Sequence, residues 1–522
     1  MPGAVTQLAL VGKEDVLLTA NPTITFFRLK YRTHTQFSLE SIPQTHQSAP
    51  QFGRRSVLTV SRSGDLISSI FLEIDLPSLR NYAVDSVVAA GAAVPGLISA
   101  RYTSSTTAKV SVIQSTDGAD DSYDVYLDDG SSPVTINGAA GVTDIPLTGL
   151  DKSKTYTVKV RRVASGTPGS WSATMNLISL RWCDGVGLAM LKTVDLDIGG
   201  SRISRLTSEY MDAESELFMP AEKEDGYNSM VGKYGAAYDL FDNSLQEETK
   251  LYVPLTFSFC SEPGLAIPIC ALSFHQVQIS YDFRDYLELI KSTSAVSSLV
   301  NASGRIPEAN IQSYVTFVFL GTEERRRFSS SAKPIEYLHR EVQFLGDVPI
   351  IVSGEEPSLQ RKISLDFSHP VSELIWTYNR GASYNSGITA SQYPVSGNNY
   401  FDYDAPAGSA IDPINKAVIH INGSARFSER SGSYFRLVQP YTHHTRIPKT
   451  KKVYSYSFAI NPEAPTPTGT LNFSRADTAH LILTLDSSFS GGGSDGRVRV
   501  YARTFNIMRF SNGMAALVFS SN

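Results

Sequence analysis

Between Leu66 and Leu76 apolar and polar positions alternate. Ile70, Leu72, Ile74 and Leu76 fall on one side, and Phe71, Glu73, Asp75 and Pro77 on the other. A period of two belongs to a strand with one face in a core. Ile24–Leu29, Val253–Phe259 and Val315–Leu320 are also short, rich in β-branched and aromatic residues and bounded by Gly, Pro, Asn or Ser, so they read as further strands. Helical stretches are few, with Ser208–Phe218 and Asp285–Lys291 the best candidates. The pattern predicts an all-β chain.

An internal repeat sets the architecture. VDLDIGGSRISRLTSEY from Val194 and VIHINGSARFSERSGSY from Val418 lie 224 positions apart, with Val194/Val418, Gly199/Gly423, Arg202/Arg426, Ser204/Ser428 and Tyr210/Tyr434 identical. The preceding strands, LISSIFLEI from Leu66 and VSELIWTY from Val371, pair at an offset of 305, so the first copy carries 81 extra residues between Leu66 and Val194. Composition marks the same interval. Ala83 to Gly96 is small and apolar, and Ser/Thr/Asp-rich strands with turns follow. Within it Tyr156, Val158 and Val160 alternate with Thr157, Lys159 and Arg161, and Leu150 and Tyr156 stand six apart before a strand. That spacing resembles the tyrosine corner of fibronectin type III and immunoglobulin-like domains, except that Lys152 stands where Pro is usual.

Composition supports this organisation and narrows function. The 522 residues suffice for two or three domains. With 25 Tyr, 25 Phe, 37 Gly and 26 Pro, the balance suits many strands joined by turns. A net charge of -5, with no basic tail, argues against direct nucleic-acid binding, and Arg325-Arg326-Arg327 follows Glu323-Glu324 and reads as a salt-bridged segment. Three cysteines, Cys183, Cys260 and Cys270, form neither a disulfide framework nor a CxxC zinc site. The N-terminal MPGAVTQLALVGKED lacks the pattern of a secretory leader, and no stretch of 18 apolar residues predicts a membrane span.

Candidate chemistry is sparse. No P-loop, GxSxG, HExxH or EF-hand spacing occurs, so neither a cofactor nor a catalytic residue is assigned. His443-His444 would point to opposite faces of a strand, and Asp117, Asp120, Asp121, Asp128 and Asp129 read as hairpin turn residues rather than calcium ligands, so no metal is expected. Asn301, Asn422 and Asn472 begin glycosylation sequons but are expected to be unmodified, the last two as turn or strand-edge residues.

Several blocks carry a family likeness. Asn21-Pro22-Thr23-Ile24-Thr25-Phe26-Phe27-Arg28 with Tyr31-Arg32-Thr33-His34, LKTVDLDIGGSRIS around Gly199-Gly200, the block Leu251 to Ile279 containing Pro263-Gly264, the block Tyr454 to Leu481 containing Gly469, Asn472 and Phe473, and the terminal FNIMRFSNGMAALVFSSN resemble the major capsid proteins of large icosahedral double-stranded DNA viruses of algae and amoebae and of iridovirus-like viruses. Phe26 and Phe27 cannot share one strand face, so one is expected under a loop or against a neighbour. Gly199 and Gly200 are expected at positive φ, and Gly469 to re-aim the chain into a strand.

The resemblance implies two tandem eight-stranded jelly rolls, a double jelly roll, with an immunoglobulin-like β-sandwich inserted in the first. Expected boundaries are an N-terminal arm at 1–24, a first jelly roll at 25–333 interrupted by the insert at 83–178, and a second at 334–522. It implies a structural protein rather than an enzyme. Homotrimers would form pseudo-hexagonal capsomers that contact neighbouring capsomers and minor capsid proteins in the virion, after synthesis in the host cytoplasm. The insert would face outward, toward a host receptor or glycan. Competing readings are a minor capsid or vertex protein, a carbohydrate- or receptor-binding β protein, and, third, a β-sandwich hydrolase for which no paired-carboxylate context is found.

Overall fold

The computed structural model describes residues 21–519 apart from 30, 32, 78–81, 85–96, 103–106, 114–121, 129–133, 138–143, 152–155, 165–166, 169–170, 172–174, 178–179, 234–247, 293–307, 331–333, 351–359, 381–397, 404–411, 449–450 and 487–495. The first sandwich is built from β1 (Phe37–Gln44), β2 (Arg55–Thr59), β3 (Leu66–Leu76), β4 (Leu191–Ile198), β5 (Ser201–Thr207), β6 (Thr249–Pro254), β7 (Val277–Phe283) and β8 (Asn310–Leu320). One sheet runs β1-β8-β3-β6 and the other β5-β4-β7-β2, all antiparallel.

The second sandwich repeats that order. Its strands are β9 (Ile335–Ile350), β10 (Gln360–Ser364), β11 (Pro370–Arg380), β12 (Ile414–Ile421), β13 (Ser424–Ala425), β14 (Val453–Ser457), β15 (Ala479–Leu485) and β16 (Gly496–Ser511), arranged β9-β16-β11-β14 and β10-β15-β12-β13. A last strand, β17 (Met514–Leu517), turns back onto β16. In each half the first, eighth, third and sixth strands make one sheet, and the second, seventh, fourth and fifth make the other. This is the jelly-roll order, present twice.

The alternation read between Leu66 and Leu76 does what a strand with one buried face must: Ile70, Leu72, Ile74 and Leu76 are at most 2% exposed, while on the opposite face Phe71 stacks on Tyr314 of β8 with ring centroids 5.1 Å apart. The repeat is real but sits one residue out of the register read from the sequence. β4 begins at Leu191 and β12 at Ile414, an offset of 223, and β3 begins at Leu66 and β11 at Pro370, an offset of 304. The difference remains 81. The turns show why: Gly199 and Gly200 have φ of 60° and 83°, and Asn422 and Gly423 have φ of 49° and 79°. Gly423 therefore corresponds to Gly200, because each is the second central residue of a two-residue hairpin with positive φ at both positions, as a type I′ turn requires.

Three other strand and helix readings are corrected. Ile24–Leu29 is not a strand, since pairing begins only at Phe37, opposite Leu320. Val253–Phe259 leaves its strand at Pro254, and Ser258–Ser261 is a helical turn. Asp285–Lys291 is a short 3₁₀ turn, Tyr286–Leu289, opened by the Asp285 carboxylate accepting from the Leu287 amide, and it runs into a strand at Ile290. Ser208–Phe218 is helical as read; it is α1.

Between β3 and β4 lie strands of a third, smaller sandwich. Tyr82–Val84, Leu97–Tyr102, Thr107–Ile113 and Asp144–Thr148 form one sheet, and Ser122–Asp128, Val134–Asn137, Tyr156–Ala164, Thr167–Pro168 and Met175–Leu177 the other. Val110, Tyr123, Val125, Leu147, Val158 and Val160 fill its separate core.

The two jelly rolls stand side by side with the same polarity. The Gly199-Gly200 and Asn422-Gly423 turns, the start of β1 and the end of β16 lie at one end of their sandwiches. There, His275 Nδ1 lies 3.1 Å from the Ala515 carbonyl and the Phe274 amide donates to Gly513. The loop after β3, which holds the third sandwich, and the segment after β5, which holds α1, leave from the opposite end.

A Cβ on Gly199 would lie 2.3 Å from His275 Nδ1, whereas one on Gly200 meets nothing within 4 Å. Gly200→Ala should therefore cost only the left-handed backbone strain, about 1–2 kcal/mol, and Gly199→Ala clearly more. Chemical denaturation of the two variants measures this, and equal losses would contradict the packing described.

Candidate functional site

The helix α1 carries the sequence SEYMDAESELF, with four carboxylates in eleven residues. On composition alone it would belong on the surface. Instead Glu209 and Asp212 are 0% exposed, because α1 lies between the two jelly rolls and meets cations from the second. Its N-terminus is capped by Thr207, whose hydroxyl accepts from the Tyr210 amide and donates to the Tyr501 hydroxyl on β16 at 3.2 Å.

Three ion clusters line this contact. Glu209 receives Arg499 at 2.6 Å and Arg284 at 2.9 Å, with Arg497 at 3.6 Å and the Ser208 hydroxyl donating at 2.8 Å. Asp347 on β9 binds Arg497 and Arg499 from their other side, at 2.7 and 2.6 Å. Asp212 is held by Lys233 and, at 2.7 Å, by Lys451, while Glu216 faces Arg446, which also pairs with Glu224. Glu373 on β11 takes Arg503 at 2.6 Å, and His444 Nε2 lies 3.2 Å from its other oxygen. The Arg503 guanidinium lies 4.3 Å above the Phe218 ring at the end of α1.

Burial would raise the Glu209 carboxyl, but Arg499, Arg284 and Arg497 outweigh it and hold it down at about 2. Asp212 is likewise held low against burial by Lys233 and Lys451. Glu214, further along α1, is pushed up, burial outweighing Arg503. Removing one member of such a set leaves a charge buried without its partner, which costs more than the pair contributes. This arrangement fixes one jelly roll against the other, with Glu209 and Asp212 neutralised by cations from both halves.

The sequence-selected residues fall elsewhere. Phe26, Phe27 and Tyr31 are 90%, 98% and 83% exposed, and Asn21 has φ of 50° beside Pro22. Neither Phe is covered by the described residues, and Arg32 lies outside them. His34 Nδ1 sits 2.8 Å from the Thr35 carbonyl, its ring against Phe37. Pro263 and Gly264 open a 3₁₀ turn. Gly469 has φ of 138° two residues before the strand pair Leu471–Asn472; Asn472 caps the following turn through the Ser474 amide, and Phe473 is buried against Phe367 and Phe458.

Leu150 and Tyr156 are buried in the third sandwich, and the Tyr156 hydroxyl accepts from the Asp151 amide at 2.9 Å. On that sheet's other face Arg161 lies 4.5 Å over the Trp171 ring, with Tyr126 edge-on at 5.6 Å and Asp124 paired to Arg161. The histidine doublet ends a helix rather than lying on a strand: His443 meets the Ile460 carbonyl, and the His444 side chain is buried between Glu373 and Glu463. Asp117, Asp120, Asp121, Asp129 and Asn301 lie outside the described residues. Asn422 accepts from the Asp477 and Thr478 amides as a turn residue. Among the described residues no group of three or more His, Cys, Asp or Glu is placed to hold a metal ion, and no helix is long and apolar enough to cross a membrane.

What sequence reading missed is the pairing of α1 with β16. The signal was present: Arg497, Arg499 and Arg503 occupy alternate positions of one strand and so share a face, as few solvent-facing strands need.

Two consequences are measurable. Glu209→Gln should lower unfolding stability by roughly 3–5 kcal/mol, read by denaturant melts, and a loss below about 1 kcal/mol would show the cluster to be solvated. Burial holds His339, bonded to Ser258, at about 4 instead of 6.5. The unfolded chain binds this proton near pH 6.5 and the folded chain only near 4, so the His339 contribution is complete above pH 6.5 and falls by ~3 kcal/mol as pH drops to 4, while Glu341, raised by burial to about 7, acts in the opposite direction over the same range. Glu209 adds its own loss only below about pH 4.5. Comparison with His339→Gln isolates the histidine: the native chain should lose more melting temperature than the variant between pH 7.5 and 4.5, and parallel pH profiles would contradict this.

Comparison with known proteins agrees with this geometry. The family model for the N-terminus of major capsid proteins matches residues 25–128 and 152–321, and that for the large eukaryotic DNA virus major capsid protein matches 324–516. The chain is 29% identical to the major capsid protein of Phaeocystis pouchetii virus and 27% identical to that of Paramecium bursaria Chlorella virus 1, each over all of both chains. Among solved structures, the Chlorella virus capsid protein fitted into a reconstruction of the virophage Sputnik superposes with a TM-score of 0.64 at 23% identity, covering 95% of this chain and all of that one. The Faustovirus major capsid protein gives 0.62 at 14%, over 96% and 94%. These likenesses establish the double jelly roll, and the family models span most of the sequence: the chain belongs to the major capsid protein family of large eukaryotic DNA viruses.

Proposed function

We propose that the chain is the structural major capsid protein of a large DNA virus, and that three copies form a pseudo-hexagonal capsomer that tiles the virion shell beside neighbouring capsomers and minor capsid proteins. The observation that carries this is the pair of sandwiches with one strand order and one polarity, joined across α1. A unit with two near-equivalent sides gives six sides when three copies close a ring, and head-to-tail contacts that close do not run on into filaments. In this reading Glu209 and Asp212 serve structure, each matched by cations from both jelly rolls. Residues 1–24 act as an arm, 25–333 and 334–522 as the two jelly rolls, and 83–178 as a separate module.

The module leaves the end opposite the chain's N-terminal arm. A long insertion is tolerated where it meets no packed neighbour, and in a closed shell that is the outer surface. A second role in host attachment is favoured by the Trp171, Tyr126, Arg161 and Asp124 face, since an aromatic plane beside hydrogen-bonding groups suits a sugar or receptor loop. Particles carrying such chains are assembled in the host cytoplasm on this reading.

Light scattering with negative-stain microscopy on the purified full chain should give a mass three times 57.0 kDa and a six-sided outline. A stable monomer at high concentration would contradict the capsomer. Replacing residues 83–178 by a short Gly/Ser linker should leave the trimer intact and reduce binding of particles to host cells. Unchanged binding would remove the attachment role, and loss of the trimer would contradict a peripheral module.

A further inference from the structure

Five large apolar side chains of the N-terminal segment are left uncovered by the described residues: Ile24 is 60% exposed, Phe26 90%, Phe27 98%, Leu29 89% and Tyr31 83%. Single exposed apolar residues are ordinary, but a run of this kind marks a contact surface. At the same end of the molecule two clefts share His275 as a common wall. One, of about 240 Å³, lies among Val60, Ile269, Leu272 and Val277. The other, of about 380 Å³, lies among Met514, Leu517 and Val518 beside Arg509. They border the seam where the loop before β7 meets β17, and Phe274 and Phe519 stand exposed near them at 78% and 55%. A cavity of about 150 Å³ accepts a benzene ring, so each cleft has room for a phenylalanine side chain.

We propose that Phe26 and Phe27 of one copy seat in the His275 clefts of the next copy, so that the segment Ile24–Tyr31, at the junction of arm and first jelly roll, is the strap that closes the trimer. This rests on the capsomer reading above. Copies in a shell stand side by side with one polarity, so an arm at one end reaches only the same end of its neighbour, where the clefts are. Arm and clefts are different surfaces. Each copy gives one arm and receives one, and a threefold ring leaves neither unused. The segment Ile24–Tyr31 leads into β1, at the edge of one sheet of the first jelly roll, whereas one cleft borders β2 and β7 of the opposite sheet and the other borders β16 and β17 of the second jelly roll, which places the donor and acceptor surfaces apart on one copy.

The test co-expresses two differently tagged full chains, only one of which carries a photo-crosslinking benzoylphenylalanine at position 27. Irradiation should join the two chains, with the bond mapped by mass spectrometry to residues 269–277 or 511–518 of the copy that lacks the crosslinker. Bonds confined to the crosslinker's own chain, or mapped elsewhere on a neighbour, would overturn the proposal while the trimer, seen by light scattering of the same sample, still stands. A monomeric sample would overturn both. Ala516→Trp, which fills a cleft from its rim, and the paired Phe26→Asp, Phe27→Asp variant should each raise the concentration at which trimers dissociate several-fold with the melting curve of the separated chain unchanged. Undiminished association in both would also overturn it.

Discussion

The structure depends on an acidic helix that has been taken out of water. Placing Glu209 and Asp212 between two sandwiches is tolerable only because Arg284 and Lys233 from the first half and Arg497, Arg499 and Lys451 from the second converge on them. Apolar contact alone would allow the two jelly rolls to slide. Charges neutralised at fixed distances do not, since any shift strands a buried ion. The cluster thus specifies one relative placement of the halves, and aromatic contacts such as Tyr210 against Tyr501, with rings 5.4 Å apart, fill the space between the ions.

That placement suits the proposed role in a shell. Two sandwiches of equal strand order, held upright and parallel, behave as one block with two similar sides. The loops at one end are then free to diverge, and the third sandwich uses that freedom: its core of Val110, Tyr123, Val125 and Val160 shares no residue with the cores of the jelly rolls. At the other end, tight turns and β17 meet along a narrow seam, where a glycine at 199 is needed to let His275 approach.

Much of this was legible in the chain. Period-two alternation located β3, the helical stretch Ser208–Phe218 located α1, and the repeated GlySer-containing hairpins disclosed the doubling. The register was read one residue out because identical residues after the hairpin, such as Tyr210 and Tyr434, outvoted the turn itself; only backbone dihedrals show that Gly200 and Gly423 are equivalent. Ile24–Leu29 has strand composition but no strand to pair with, which composition cannot reveal. The burial of α1 was hidden for a related reason. Four acids read as a solvent face until the arginines nearly three hundred positions away are brought beside them, and pairing over such a separation is a property of the fold.

The central claim, that one chain supplies two rigidly joined sides of a six-sided ring, is tested most directly by a cryo-microscopy map of the assembled particle. The account predicts three chains per capsomer, each contributing two adjacent sandwiches that superpose as a single body on the structure described, with α1 and its arginines unchanged between them. A map in which the two sandwiches of one chain are separated or rotated relative to each other, or in which the ring holds another number of chains, would contradict it.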